Sequence, residues 1–160
     1  MIAALLFFYL PLAYSQECFD INEVDFTFYC RSGSDDWIVS SDYPNGLWAT
    51  VISNPNLVWA VIPESDFIWK NPTYGACNIT VTKSFFLIAS ATSVNLYLVC
   101  DDYATATIND LNSCKATYGS VSICDMTSAI KTGLNELKIE AQNTGGNGGL
   151  SYKLEVNIRL

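Results

Sequence analysis

Asp101 and Asp102 stand side by side at the end of an apolar run, and Asp110 closes the run that follows. Carboxylate oxygens gathered at turns are the hard ligands that Ca²⁺ prefers, so these three form a candidate calcium site. The competing reading is a solvated turn in which the aspartates accept hydrogen bonds from backbone amides. Their spacing is not that of an EF-hand loop. Glu64 and Asp66, together with Asp101 and Asp102, also supply carboxylates of the kind a glycosidase pairs as acid and base. Any acidic chain contains such groups, and no motif joins these four. The sequence has no histidine. That excludes a histidine general base, a Ser-His-Asp or Cys-His nucleophile and a histidine-ligated metal. The chain is therefore expected not to be an enzyme.

Aromatic faces stack on sugar rings and anchor protein interfaces. Trp37, Trp48, Trp59 and Trp69 fall in the first half of the chain with Tyr43 and Tyr74. Trp37 and Trp59 lie in alternating runs and are expected in the core. Tyr43 and Trp48 flank the turn Pro44-Asn45-Gly46, which makes them the candidate carbohydrate-binding residues. Asn78-Ile79-Thr80 is an N-glycosylation sequon, so Asn78 is the candidate glycosylation site. Six cysteines, Cys18, Cys30, Cys77, Cys100, Cys114 and Cys124, contain no Cys-x-x-Cys pair. A zinc knuckle and a thioredoxin-type redox motif are excluded on that ground. A disulfide framework is expected instead: Cys114 with its near neighbour Cys124, Cys18 with Cys30, and Cys77 with Cys100.

Residues 2–12 are almost wholly apolar, and Ala13 and Ser15 place small residues before Gln16. This is the pattern of a secretory signal peptide over residues 1–15. The run is shorter than the roughly 20 residues that cross a bilayer, and no other stretch is longer and as apolar, so no membrane span is expected. Residues 16–160 are read as one secreted, extracellular domain. Eight basic residues against 16 acidic ones give a net charge of −8. That balance weighs against nucleic acid and against anionic membranes.

The elements that position these residues read as strands. From 137 to 141 apolar Leu137, Ile139 and Ala141 alternate with Lys138 and Glu140, and from 150 to 158 Leu150, Tyr152, Leu154, Val156 and Ile158 alternate with polar residues. Period-two alternation marks half-buried strands. The glycine-rich stretch 143–149 between them predicts a hairpin. Further strands are predicted at 25–30, 37–40, 57–62, 78–88, 94–100 and 104–109, and one short helical turn at 126–131. Many short strands with no long helix point to an all-β, antiparallel β-sandwich of jelly-roll type, stabilised by disulfides.

The stretch from Val99 to Asn109 resembles the strand pair of galactose-binding-domain-like jelly rolls, in which an Asp-rich turn precedes a strand ending in Asn-Gly. Here Asn109 is followed by Asp110. The run from Ile130 to Asn143, with Gly133-Leu-Asn-Glu-Leu-Lys-Ile139, resembles the same superfamily's Gly-x-Asn-x-Leu-x-Ile strand, and Gly148-Gly149-Leu150 also matches. The resemblance covers about residues 78–158. It implies a non-enzymatic module similar to carbohydrate-binding modules, with glycans or other extracellular proteins as partners, and a structural Ca²⁺. Two functions are therefore expected as alternatives. One is lectin-like binding of carbohydrate or a surface. The other is a self-assembling subunit of an extracellular coat, matrix or filament, a homo-oligomer or polymer joined through strand edges.

Overall fold

The structure is a computed structural model that describes residues 23–53 and 59–160. The expected signal peptide, Cys18 with its pairing to Cys30, and the first two residues of the strand predicted at 57–62 lie outside the described residues.

Two antiparallel sheets face each other. The first contains β1 (Asp25–Arg31), β4 (Thr50–Ile52), β5 (Phe67–Trp69), β7 (Ala91–Asp101), β10 (Ser122–Asp125) and β12 (Gly149–Arg159). Its order is β10-β7-β12-β5-β4, and β1 joins the other stretch of β12. The second contains β2 (Trp37–Ser40), β3 (Leu47–Trp48), β6 (Cys77–Leu87), β8 (Tyr103–Ile108), β9 (Leu111–Thr117) and β11 (Gly133–Asn143), in the order β3-β2-β6-β11-β8-β9. A 3₁₀ turn at Thr127–Ala129 occupies the place of the predicted helical turn. The molecule is thus an antiparallel β-sandwich of jelly-roll type.

Alternation decides which face each strand buries. In β12, Leu150, Tyr152, Leu154, Val156 and Ile158 enter the core, as their period predicted. Leu137, Ile139 and Ala141 of β11 meet them from the second sheet. β7 is covered on both faces. Val94, Leu96, Leu98 and Cys100 enter the core, while Val99 packs outward under Trp59, Ile62 and Phe67.

Four expectations are corrected. β11 and β12 are not a hairpin, because β11 pairs with β6 and β8 while β12 pairs with β1, β5 and β7. The glycine-rich connection crosses from one sheet to the other. There Gly148 and Gly149 lie against the indoles of Trp69 and Trp59, where a Cβ would fall 2.1 and 2.3 Å from ring carbons. Residues 59–62 form no strand; Trp59 and Ile62 are buried from an irregular segment. Trp37 is not a core residue, because Ile38 takes the inward position of β2. Among the described residues Cys77 and Cys100 are free thiols, as is Cys30. Cys77 pairs with Asn143 in one sheet and Cys100 with Leu150 in the other. β6 and β7 are interior strands of their sheets, and inside a sandwich stacked sheets lie about 10 Å apart, beyond the roughly 4–7 Å between Cα atoms that a disulfide spans. The Cys114–Cys124 disulfide does form, with Cα atoms 5.7 Å apart, and it ties the edge strand β9 of one sheet to the edge strand β10 of the other.

Candidate functional site

The outward face of the second sheet gathers the candidate binding residues. Trp48 on β3 stands opposite Trp37 on β2, Trp37 opposite Thr82, Thr82 opposite Lys138, and Lys138 opposite Thr107. A tryptophan pair thus opens a row of polar side chains that crosses the sheet. Trp48 is 62% exposed and Trp37 39%. Their ring centroids are 4.9 Å apart with planes at 81°, an edge-to-face contact. Gly46 allows this packing. Its φ is +78°, and a Cβ there would sit 2.0 Å from Trp37 Nε1. Tyr43 is half-buried, and its hydroxyl donates to the Asn71 carbonyl at 3.0 Å. It ties the Pro44–Gly46 turn to its neighbour, while Trp48 presents its ring to solvent. Sequence reasoning missed Trp37, because Trp37 and Ile38 are both apolar and either register of β2 buries one of them.

Further along the same face, Asn78, Thr80, Tyr103, Thr105, Glu140 and Gln142 line a shallow depression of about 330 Å³. Tyr103 and the sequon residue Asn78 are both exposed there. Lys138 and Glu140 form a 2.8 Å ion pair on this face. The hydrogen bond to Glu140 holds the Lys138 ammonium above its ordinary pKa. The pairing leaves little net charge in the centre of the face.

The three aspartates do not converge. Asp101 and Asp102 precede β8 and Asp110 follows it. Six strand residues separate the two ends by about 20 Å. Asp101, Asp102 and Asp110, expected as one calcium site, therefore do not meet in one place. Among the described residues no group of three or more His, Cys, Asp or Glu side chains could hold a metal ion. Asp102 instead caps a turn: its carboxylate accepts from Thr144 N–H at 2.7 Å and from Thr144 Oγ1 at 2.6 Å. Asp101 is buried, and burial, with the adjacent Asp102 carboxylate, pushes its pKa up to about 6. Asp110 sits in the β8–β9 hairpin with φ +58°, after Asn109 at +53°. Two consecutive positive φ values are those of a type I′ turn, and Asn and Asp adopt them more readily than most residues other than glycine. Of the carboxylates that a glycosidase reading would use, Glu64 is engaged by Arg31 at 2.9 Å.

No family model matches the sequence, and no curated protein matches it. Solved structures do. The chain is similar to the carbohydrate-binding module CBM36 in complex with calcium and xylotriose, at 13% identity and a TM-score of 0.45, over 82% of this chain and 99% of that one. It is similar to a family 35 carbohydrate-binding module from an environmental isolate, at 14% identity and a TM-score of 0.48, over 79% of this chain and 91% of that one. It is also similar to an FMN-binding β-glucuronidase from Facaelibacterium prausnitzii, at 15% identity and a TM-score of 0.47, over 84% of this chain and 23% of that one.

Proposed function

We propose that the protein is a secreted, non-enzymatic module that binds carbohydrate on the outward face of its second sheet. The observation that carries this reading is the Trp37–Trp48 pair. A large aromatic ring exposed to water and held in one orientation by its neighbour is prepared to stack on a sugar ring, with little side-chain entropy left to lose. Thr82 beside it on β6, and Thr107 farther along the row on β8, supply hydroxyl donors and acceptors for the sugar's own hydroxyls. The charge of the chain, −8, and the neutralised Lys138–Glu140 pair favour a neutral glycan over a sulfated or uronic one. The galactose-binding-domain-like pattern at 99–109 and 130–143 supports the same reading. Residues 1–15 serve as the secretion signal, and Asn78 carries an N-glycan if the protein passes through a glycosylating secretory pathway. A glycan there would cover the Tyr103 depression and leave the tryptophan end of the face open.

A glycan array read with wild-type protein and with Trp48→Ala tests the proposal. Binding of neutral oligosaccharides that Trp48→Ala weakens roughly 30-fold, the loss of about 2 kcal/mol typical of a buried aromatic anchor, is the expected result. Binding that is indifferent to Trp48, or no binding to any glycan, removes it.

A further inference from the structure

The disulfide laces one side of the sandwich, and among the described residues no strand closes the other side. Among the described residues β12 is the only ladder partner of β1. On the facing sheet, β6 continues beyond Thr82, where its pairing with β2 ends. Between these free edges lies a groove of about 930 Å³, lined by Phe26, Phe28, Phe85, Phe86, Ile88 and Ile158 among others. Phe26 pairs with buried Ile158 and shares its inward face, yet it is 48% exposed.

Hydrogen-bond parity shows what the free edge offers. Val24 and Leu160 exchange both backbone bonds, at 3.0 and 3.1 Å, and Ser32 N–H reaches the Tyr152 carbonyl at 3.0 Å. Alternate residues of an antiparallel ladder exchange bonds, so Phe26, Phe28 and Cys30 direct their N–H and C=O groups toward β12. Asp25, Thr27, Tyr29 and Arg31 direct theirs to the open side. There the Arg31 carbonyl takes Lys83 Nζ at 3.0 Å.

We propose that β1 pairs antiparallel with β1 of a second copy, about a two-fold axis at Phe28, so that the first sheet runs through both molecules. This register sets Asp25 opposite the partner's Arg31 and Thr27 opposite the partner's Tyr29. Every one of these residues has its backbone groups on the open edge, so all fall on bonded positions. The charges at the two ends of this seven-residue strand are opposite, and antiparallel self-pairing brings each against its complement. Sliding the register by two residues leaves an end of the strand unpaired and separates the charges. Asp25 already meets Arg159 at 2.8 Å and Arg31 meets Glu64 at 2.9 Å; Asp25, Arg159 and Glu64 are at least half exposed and Arg31 is partly so, which leaves room for a shared network. Phe26 and Phe28 lie on the groove side in both copies. The partner's Phe26 therefore stands beside Cys30 and covers the apolar groove. Such an interface uses the same patch twice and closes at two copies, unlike a filament. It goes beyond the glycan reading and does not depend on it.

The test is sedimentation equilibrium of the mature chain from about 1 µM to 1 mM, with amide hydrogen exchange at both ends of that range. A monomer–dimer equilibrium is expected, with the amides of Asp25, Thr27 and Tyr29 exchanging more slowly when concentrated. Thr27→Pro removes an N–H that β12 does not use, so the fold tolerates it as an edge-strand proline. It should weaken the dimer at least tenfold, the loss of about 1.4 kcal/mol. Asp25→Arg should also weaken it, and Asp25→Arg with Arg31→Asp should restore it; this charge swap decides the matter if the proline variant fails to fold. A strict monomer at every concentration, a dimer untouched by these variants, or edge amides whose exchange ignores concentration would overturn the proposal.

Discussion

The Tyr152 hydroxyl donates a 2.8 Å hydrogen bond to Oδ1 of Asp36, and both side chains are buried. Asp36 also accepts from Gly33 N–H at 3.0 Å and from Lys83 Nζ at 3.0 Å. One carboxylate thus joins the centre of β12 to the loop before β2 and to β6. Burial, and then the charge of Asp36, pushes the Tyr152 phenol far above its ordinary pKa, so it remains a donor. Burial works against the Lys83 ammonium, but Asp36 and Asp35 outweigh it and hold its pKa above the usual lysine value. Removing one partner of a buried bond leaves the other with its desolvation cost. Tyr152→Phe should therefore cost about 1–3 kcal/mol, and Asp36→Ala about 3–5 kcal/mol, in urea unfolding. A Tyr152→Phe variant as stable as wild type would mean the network adds nothing to the fold.

Asp101 gives stability a pH dependence of definite sign. Its folded pKa of about 6 lies above the ordinary 3.8, so the folded chain holds this proton more tightly than the unfolded one. The resulting stability is complete below about pH 4 and is lost as pH rises through about 6. With no histidine in the chain, few other groups titrate in that window. The melting temperature should fall between pH 5 and pH 7, and Asp101→Asn should abolish the fall and exceed wild type at pH 7. A flat wild-type profile across that range would show that Asp101 ionises normally.

The tryptophan pair separates stability from binding. Trp48 is mostly exposed, so Trp48→Ala should move the melting temperature by only a few degrees. Gly46→Ala places a Cβ where Trp37 stands, at a φ that alanine resists. It should cost about 1–3 kcal/mol and also lower glycan affinity by displacing the pair. Equal melting temperatures for Gly46→Ala and wild type would contradict the packing described.

Cysteine chemistry should divide cleanly. Cys114 and Cys124 close a loop of sequence separation 10, so the double change to serine should cost about 3 kcal/mol. Burial, the largest influence on each, pushes the thiols of Cys30 and Cys100 up to about 11 and about 12. Alkylation at neutral pH should therefore spare both in the folded protein and reach them only in denaturant, a difference read directly by mass. Rapid native labelling of Cys100 would place it outside the core.

What the sequence reveals follows from where alternation is unambiguous. In β12 every second residue is apolar and its neighbours are polar, so the inward face is fixed by reading alone. In β2 the adjacent Trp37 and Ile38 are both apolar, and the period says nothing about which turns in. β3, β4 and β5 are two or three residues long, too short for any period to show. The connection between β11 and β12 has the composition of a hairpin loop, and only the partners of each strand show that it crosses the sandwich. The aspartates flank a strand that the sequence does reveal, and the six residues of β8 place Asp110 at its far end from Asp101 and Asp102. The tryptophan pair depends on cross-strand register and on the room left by Gly46, neither of which is written locally.

β12 follows every strand that it joins, and it holds the middle of its sheet, bonded to β1, β5 and β7. As the chain leaves the ribosome, β1 and β7 are made long before their common neighbour exists. The residues that pair across the β1–β12 ladder are more than a hundred positions apart, so this half of the sandwich cannot assemble step by step during synthesis. It must wait, with apolar strand faces uncovered, until β12 has been made. A chain cut short within β12 would thus forfeit the strand that holds an entire layer of the molecule together.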